Sequence, residues 1–161
     1  GVASLVLEAG GNEDEAIGAL LHDAVEDQGG EATLREIARR FGDPIAAIVA
    51  GCSDCKSRPK PPWRERKLTY LAHLPSASPS VRLVSLADKV HNARTLVLDY
   101  QVVGEALWSR FRGGKDGTLW YYGELARTFG ECGVAPLSAE LARLVAELWR
   151  IADGGTRGNG G

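Results

Sequence analysis

Methionine is absent from this 161-residue chain, and cysteine is scarce, with Cys52, Cys55 and Cys132 the three that occur. So few cysteines, and an odd number, exclude a disulfide framework and fit a reducing, cytoplasmic setting. No apolar run reaches the roughly 20 residues that a membrane-spanning helix needs, and no signal-peptide pattern opens the chain. Charge of one sign is missing too. The 19 Lys and Arg stand against 21 Asp and Glu, a formal net charge of −2 that gives no global reason to bind nucleic acid or an anionic membrane. Without methionine, and with its first residues already in a helical pattern, the chain is expected to belong to a protein that starts upstream of Gly1. What remains is an ordinary globular composition, 44% hydrophobic and 25% charged, long enough to bury a core without staples. One domain over 1–153 is expected, then a flexible Gly-rich tail over 154–161.

The periodicity is helical throughout, with no convincing strand and no repeat, so the fold class is all-α. Val2 to Leu7 stops at Gly10-Gly11, and Asn12 with Glu15 forms a capping box for a helix that buries Ile17, Leu20, Leu21 and Val25. Thr33 with Glu36 is a second box, opening a helix that runs to about Phe41. Asp43-Pro44 starts the helix to about Gly51. A basic, Pro-containing loop spans Cys52 to Pro62. Helices are predicted from Trp63 to Leu74, from about Ser80 to Asp99, and, short, from Glu105 to Phe111. Two more follow, from Asp116 to about Glu131 and from Ser138 to Ala152.

Two stretches carry chemistry. Leu20 to Asp27 reads LLHDAVED, an apolar helical run followed at once by His22, Asp23, Glu26 and Asp27. Adjacent His and Asp ligate one metal ion if a turn aims them together, and an acidic pair one turn later then faces the same spot. The alternative is a helix end with a solvated acidic loop. On the Ser80–Asp99 helix, Leu83, Leu86, Val90, Ala93 and Val97 make an apolar stripe, while Asp88, His91, Asn92 and Thr95 share one sector that Val81 and Val84 continue. Polar groups on a half-buried sector need partners, because an unpaired one costs about 1–3 kcal/mol. A metal, a polar ligand or trapped water provides them. Lys89 points about 100° away from Asp88 and is not expected to serve.

LLHDAVED resembles the HDxxED motif of the hydrolase domain in RelA/SpoT-type (p)ppGpp proteins, within the HD-domain phosphohydrolases. Leu86 to Thr95 resembles that family's ADRLHNMRT segment, and Phe41-Gly42 with Ile48 to Gly51 its FG…IV-G segment. The resemblance spans about Gly1 to Leu98. It implies an HD-domain helical bundle of the small, hydrolase-only type, with His22, Asp23 and Asp88 as ligands of a divalent metal, Mn²⁺ in the family. It further implies Glu26 and Asp27 as the catalytic pair and Asn92 and Thr95 as nucleotide contacts. The activity implied is hydrolysis of the small-molecule nucleotide (p)ppGpp to GDP or GTP and pyrophosphate. Another phosphorylated metabolite such as NADPH, and a non-catalytic nucleotide-sensing module, are the alternatives. The family's first metal-binding His, and the basic residues before it, would fall ahead of Gly1.

The rest is plainer. His91 is expected to pack or support a ligand rather than bind metal. Cys52 and Cys55 have CxxC spacing without a second pair. The run from Lys56 to Lys67 reads as a solvated loop, from which Arg66 or Lys67 reaches the substrate's phosphates. Trp120, Tyr121 and Tyr122 are assigned to packing. Oligomeric state is left open.

Overall fold

A helix of 25 residues, Pro79–Val103, is the axis on which the computed structural model is built; it describes residues 1–53 and 59–155, with the side chains of Asp27 and Gly155 left out. Cys55, Lys56, Arg58 and the chain after Gly155 therefore lie outside the described residues. The order is α1 (Val2–Glu8), α2 (Glu13–Leu21), α3 (Ala24–Gln28), α4 (Glu31–Phe41), α5 (Asp43–Cys52) and α6 (Trp63–His73). After a 3₁₀ turn at Leu74–Ser76 come α7 (Pro79–Val103), a 3₁₀ segment Gly104–Arg110, α8 (Gly114–Cys132) and α9 (Ala135–Gly155). No strand occurs among the described residues, as the helical periodicity requires. No described helix is long and apolar enough to cross a membrane.

Ser78 accepts from the Val81 amide at 3.2 Å and Pro79 occupies the first turn, so α7 starts with its orphan donors partly satisfied. Its apolar residues wrap most of its circumference: Val81, Leu83, Val84, Leu86, Ala87, Val90 and Ala93 are all buried. Such a helix belongs at the centre, and α1, α2, α5, α8 and α9 pack around it. Two crossings depend on glycine. A Cβ on Gly18 would lie 2.7 Å from Ile48 Cγ2, and one on Gly51 would lie 2.5 Å from Val81 Cγ2. Bare backbone thus lets α2 approach α5, and α5 approach α7. A smaller core of Val25, Ile37, Ile45, Ala46 and Val49 binds α3, α4 and α5 together.

The Asn12–Glu15 capping box is present in both directions, at 2.8 and 3.0 Å. Elsewhere the structure corrects the sequence. Leu20 is 73% exposed, not buried, because it stands about 200° round α2 from Gly18, which faces α5. The Thr33–Glu36 box is unused: α4 begins earlier, at Glu31, and Glu36 pairs with Arg39 and Arg40 instead. The short helix after α7 is 3₁₀ rather than α. Helix α9 starts at Ala135 and continues through Gly154 to Gly155.

Candidate active site

The chain breaks its helix where the two leading donors stand. His22 and Asp23 form the joint between α2 and α3, both in right-handed helical conformation, so the helices turn without a loop. The predicted single run through to Val25 is therefore two helices, and the joint is what aims the side chains. His22 Nδ1 lies 2.7 Å from the Ala19 carbonyl oxygen, which only accepts, so Nδ1 carries a proton and Nε2 points into the site. There it meets Asp23 Oδ2 at 3.1 Å and Asp88 Oδ1 at 3.2 Å. Helix α7 brings Asp88 to this point from 66 positions further along the chain. Burial opposes charge on His22, but the hydrogen bonds to Asp23 and Asp88 outweigh it and push its pKa up to about 10.

Asp88 is 6% exposed. Its Oδ1 also accepts from Asn92 Nδ2 at 2.7 Å, one turn along α7, and its Oδ2 takes Lys89 Nζ at 2.5 Å. Burial alone would raise this carboxyl; the charges of Lys89 and His22 hold it well below the usual carboxylate range. Lys89 is the partner that the helical wheel excludes. Its flexible stem lets Nζ, 5.5 Å from the Tyr70 ring centroid, close the angle that rigid Cβ directions leave open. Its pKa is raised: burial would lower it, but Asp88 overrides that.

Glu26, one turn into α3, lines the same cavity of ≈ 170 Å³ as His22, Asp23, Asp88, Asn92 and Lys67. Ser53 donates to Glu26 Oε1 at 3.3 Å and Lys60 approaches Oε2 at 3.8 Å, so the carboxylate is held from the end of α5. The Asp27 side chain is outside the described residues. Cys52, Tyr70 and Ser85 line the cavity as well; burial pushes the Cys52 thiol and the Tyr70 hydroxyl each up to about 12. Thr95 is apart from this cluster in its bonding, its hydroxyl donating to the His91 carbonyl at 3.1 Å. His91 lies against Gly1 and borders a second opening onto His22, Asp23 and Asp88.

Beside the first cavity is another of ≈ 310 Å³, which shares Lys67, Lys89, Asn92 and Tyr121 with it. Trp63, Arg110, Phe111, Arg112, Thr118 and Tyr122 complete its wall. Lys67 Nζ sits 4.8 Å from the Tyr121 ring centroid. Trp63 meets Trp120 and Tyr121 edge-on with centroids at 6.2 and 6.1 Å. Of these residues, Arg110 and Arg112 had no sequence signal, because they fall in a segment outside any motif. Tyr121, assigned to packing, does pack, and its ring also lines both cavities.

The donors suit a divalent ion. An imidazole nitrogen and two carboxylate oxygens are ligands for Mn²⁺, Mg²⁺ or Zn²⁺, and spacings of 3.1 and 3.2 Å are those of donors sharing one ion at about 2.1 Å. No three His, Cys, Asp or Glu among the described residues are closed around one point as a metal cage would be. Of the two carboxylates, Asp23 has its side chain 68% exposed and Asp88 only 9%.

The family model described as HD domain matches residues 1–118, and the chain is a member of the HD-domain family. Among curated proteins it is 42% identical over 98 residues to guanosine-3′,5′-bis(diphosphate) 3′-pyrophosphohydrolase MESH1 of Xenopus tropicalis, covering 60% of this chain and 52% of that protein. It is 39% identical to MESH1 of Homo sapiens over 98 residues, with the same coverage of 60% and 52%. The chain thus spans about half the length of the curated relatives it matches. Among solved structures, lmo0812 from Listeria monocytogenes EGD-e is 29% identical with a TM-score of 0.81, covering 92% of this chain and 96% of that one.

Proposed function

We propose that this chain is the catalytic domain, over 1–153, of a cytoplasmic, metal-dependent hydrolase that removes the 3′-pyrophosphate from (p)ppGpp to leave GDP or GTP. The observation that carries the reading is the convergence of His22, Asp23 and Asp88 on one cavity with Glu26. The relatives named guanosine-3′,5′-bis(diphosphate) 3′-pyrophosphohydrolase support the choice of substrate. Mn²⁺ is the ion proposed for His22, Asp23 and Asp88; when bound it polarises a phosphoryl oxygen and activates water at neutral pH.

The chain's own groups do the rest. Glu26, fixed by Ser53 and Lys60, accepts a proton from the attacking water or orients it, with Asp27 as its partner. Lys67 and Asn92 stand on the wall between the two cavities and bind the nucleotide where it passes from one to the other. Thr95 contributes through the lone pairs of a hydroxyl already oriented by His91. The second cavity's aromatic rings and cations suit a base and phosphates.

The full-length protein is incubated with Mn²⁺ and a panel of ppGpp, pppGpp, NADPH and common nucleotides, and pyrophosphate and phosphate are assayed separately. Pyrophosphate release matched by GDP from ppGpp is expected. Intact ppGpp beside cleavage of another phosphorylated metabolite would overturn the substrate assignment, and no cleavage of any member would favour a sensing module.

A further inference from the structure

Lys89 directs its ammonium at the one Asp88 oxygen that the metal donors leave unused. Asp88 Oδ1 faces His22 Nε2 and Asn92 Nδ2, whereas Oδ2 faces Lys89 Nζ. The two side chains are 16% and 9% exposed. Besides Asp88, the Tyr70 ring centroid lies 5.5 Å from Nζ, and the hydroxyls of Tyr70, Tyr121 and Tyr122 and the Cys52 thiol are the titratable groups that sense its charge. Enclosing an ammonium is unfavourable unless its partner is well placed, and Asp88 already has two donors on Oδ1. Oδ1 is thus supplied by His22 and Asn92, and the lysine is the donor that occupies Oδ2. A carboxylate with both oxygens free can embrace a divalent ion with both. One whose second oxygen is held by a lysine presents one.

We infer that Lys89 is a positioning residue that restricts Asp88 to one-oxygen coordination of the divalent ion, weakening metal binding and keeping a coordination position open for water and substrate. This rests on the hydrolase reading of the same site. The fixed positive charge also stands close to the ion and repels it, so both effects of Lys89 on affinity have the same sign. A lysine that merely stabilised the fold, or merely kept Asp88 in place, has the opposite effect: its removal loosens the metal.

The test is calorimetric titration of the metal-free full-length protein with Mn²⁺, for wild type, Lys89→Met and Lys89→Arg, alongside steady-state hydrolysis. Methionine has similar length and packs on the Tyr70 ring. Lys89→Met is expected to bind Mn²⁺ about tenfold more tightly while kcat falls and KM holds, and Lys89→Arg is expected to return both toward wild type. Unchanged or weaker Mn²⁺ binding in Lys89→Met overturns the inference, as does a wild type that binds no Mn²⁺. Should Lys89→Met not fold, Lys89→Gln is titrated and judged by the same outcomes. A wild type that binds Mn²⁺ yet cleaves no guanosine bis(diphosphate) sinks the proposed substrate alone, and the titration still decides the role of Lys89.

Discussion

His22 Nε2 lies 3.2 Å from Asp88 Oδ1, which ties the joint between α2 and α3 to the middle of α7, 66 positions further on. The contact links the two motif-bearing stretches of the chain through one charge relationship, at the residues proposed to hold the metal.

Asp88→Ala removes the carboxylate on which His22, Lys89 and Asn92 converge. Lys89 is then a buried cation without its counter-ion, a change that costs about 3–5 kcal/mol. The urea midpoint of the metal-free protein is expected to fall accordingly, and Mn²⁺ binding to be lost. An unchanged midpoint would contradict the buried pair.

The metal-free protein is expected to lose stability as pH rises. His22 has a folded pKa of about 10 against an ordinary 6.5. A raised folded pKa means that its contribution is complete below about pH 6.5 and disappears as pH climbs through 10. Denaturation midpoints across that range report it, and His22→Gln should flatten the profile. Mn²⁺ must displace the same proton, so binding heats measured near pH 8 should differ between buffers of unlike ionisation enthalpy.

Glu26→Gln separates chemistry from binding. Glu26 is held by Ser53 and Lys60 rather than by His22 or Asp88. Hydrolysis is expected to drop about 10²–10⁴-fold with Mn²⁺ affinity nearly unchanged in the calorimeter. A comparable loss of metal binding would make Glu26 a ligand instead.

Gly18→Val forces a side chain into the α2–α5 crossing, where even a Cβ would lie 2.7 Å from Ile48 Cγ2. The melting temperature should fall by an amount equivalent to about 1–3 kcal/mol. Leu20→Ala, two residues on but exposed, should stay within about 0.5 kcal/mol of wild type.

Much of the fold was legible because helices are written locally. Asn12 with Glu15, Ser78-Pro79, and the stripe from Leu83 to Val97 each need only neighbours in sequence, and each is found as expected. The misreadings share one cause. Leu20 satisfied the helical period but not the packing, since Gly18 decides which side of α2 meets α5. Thr33 and Glu36 had the spacing of a cap, yet Glu36 found Arg39 and Arg40 within its own helix. The Cβ direction of Lys89 disfavours a pairing with Asp88, yet its four-carbon stem reaches that carboxylate.

By itself the sequence determined an all-α chain with two motif segments, because helical period, caps and the spacing of His22, Asp23 and Asp88 are properties of residues close along the chain or of the motif itself. Only the tertiary structure decided that His22 Nε2 and Asp88 Oδ1 meet, that Lys89 takes the remaining oxygen, and that Arg110, Arg112 and Trp63 wall a second cavity beside them. Those relationships depend on how α2, α5, α6, α7 and α8 cross, and crossing is governed by which small residues allow backbones to approach and which long side chains can bend. Neither is visible until distant parts of the chain are packed together.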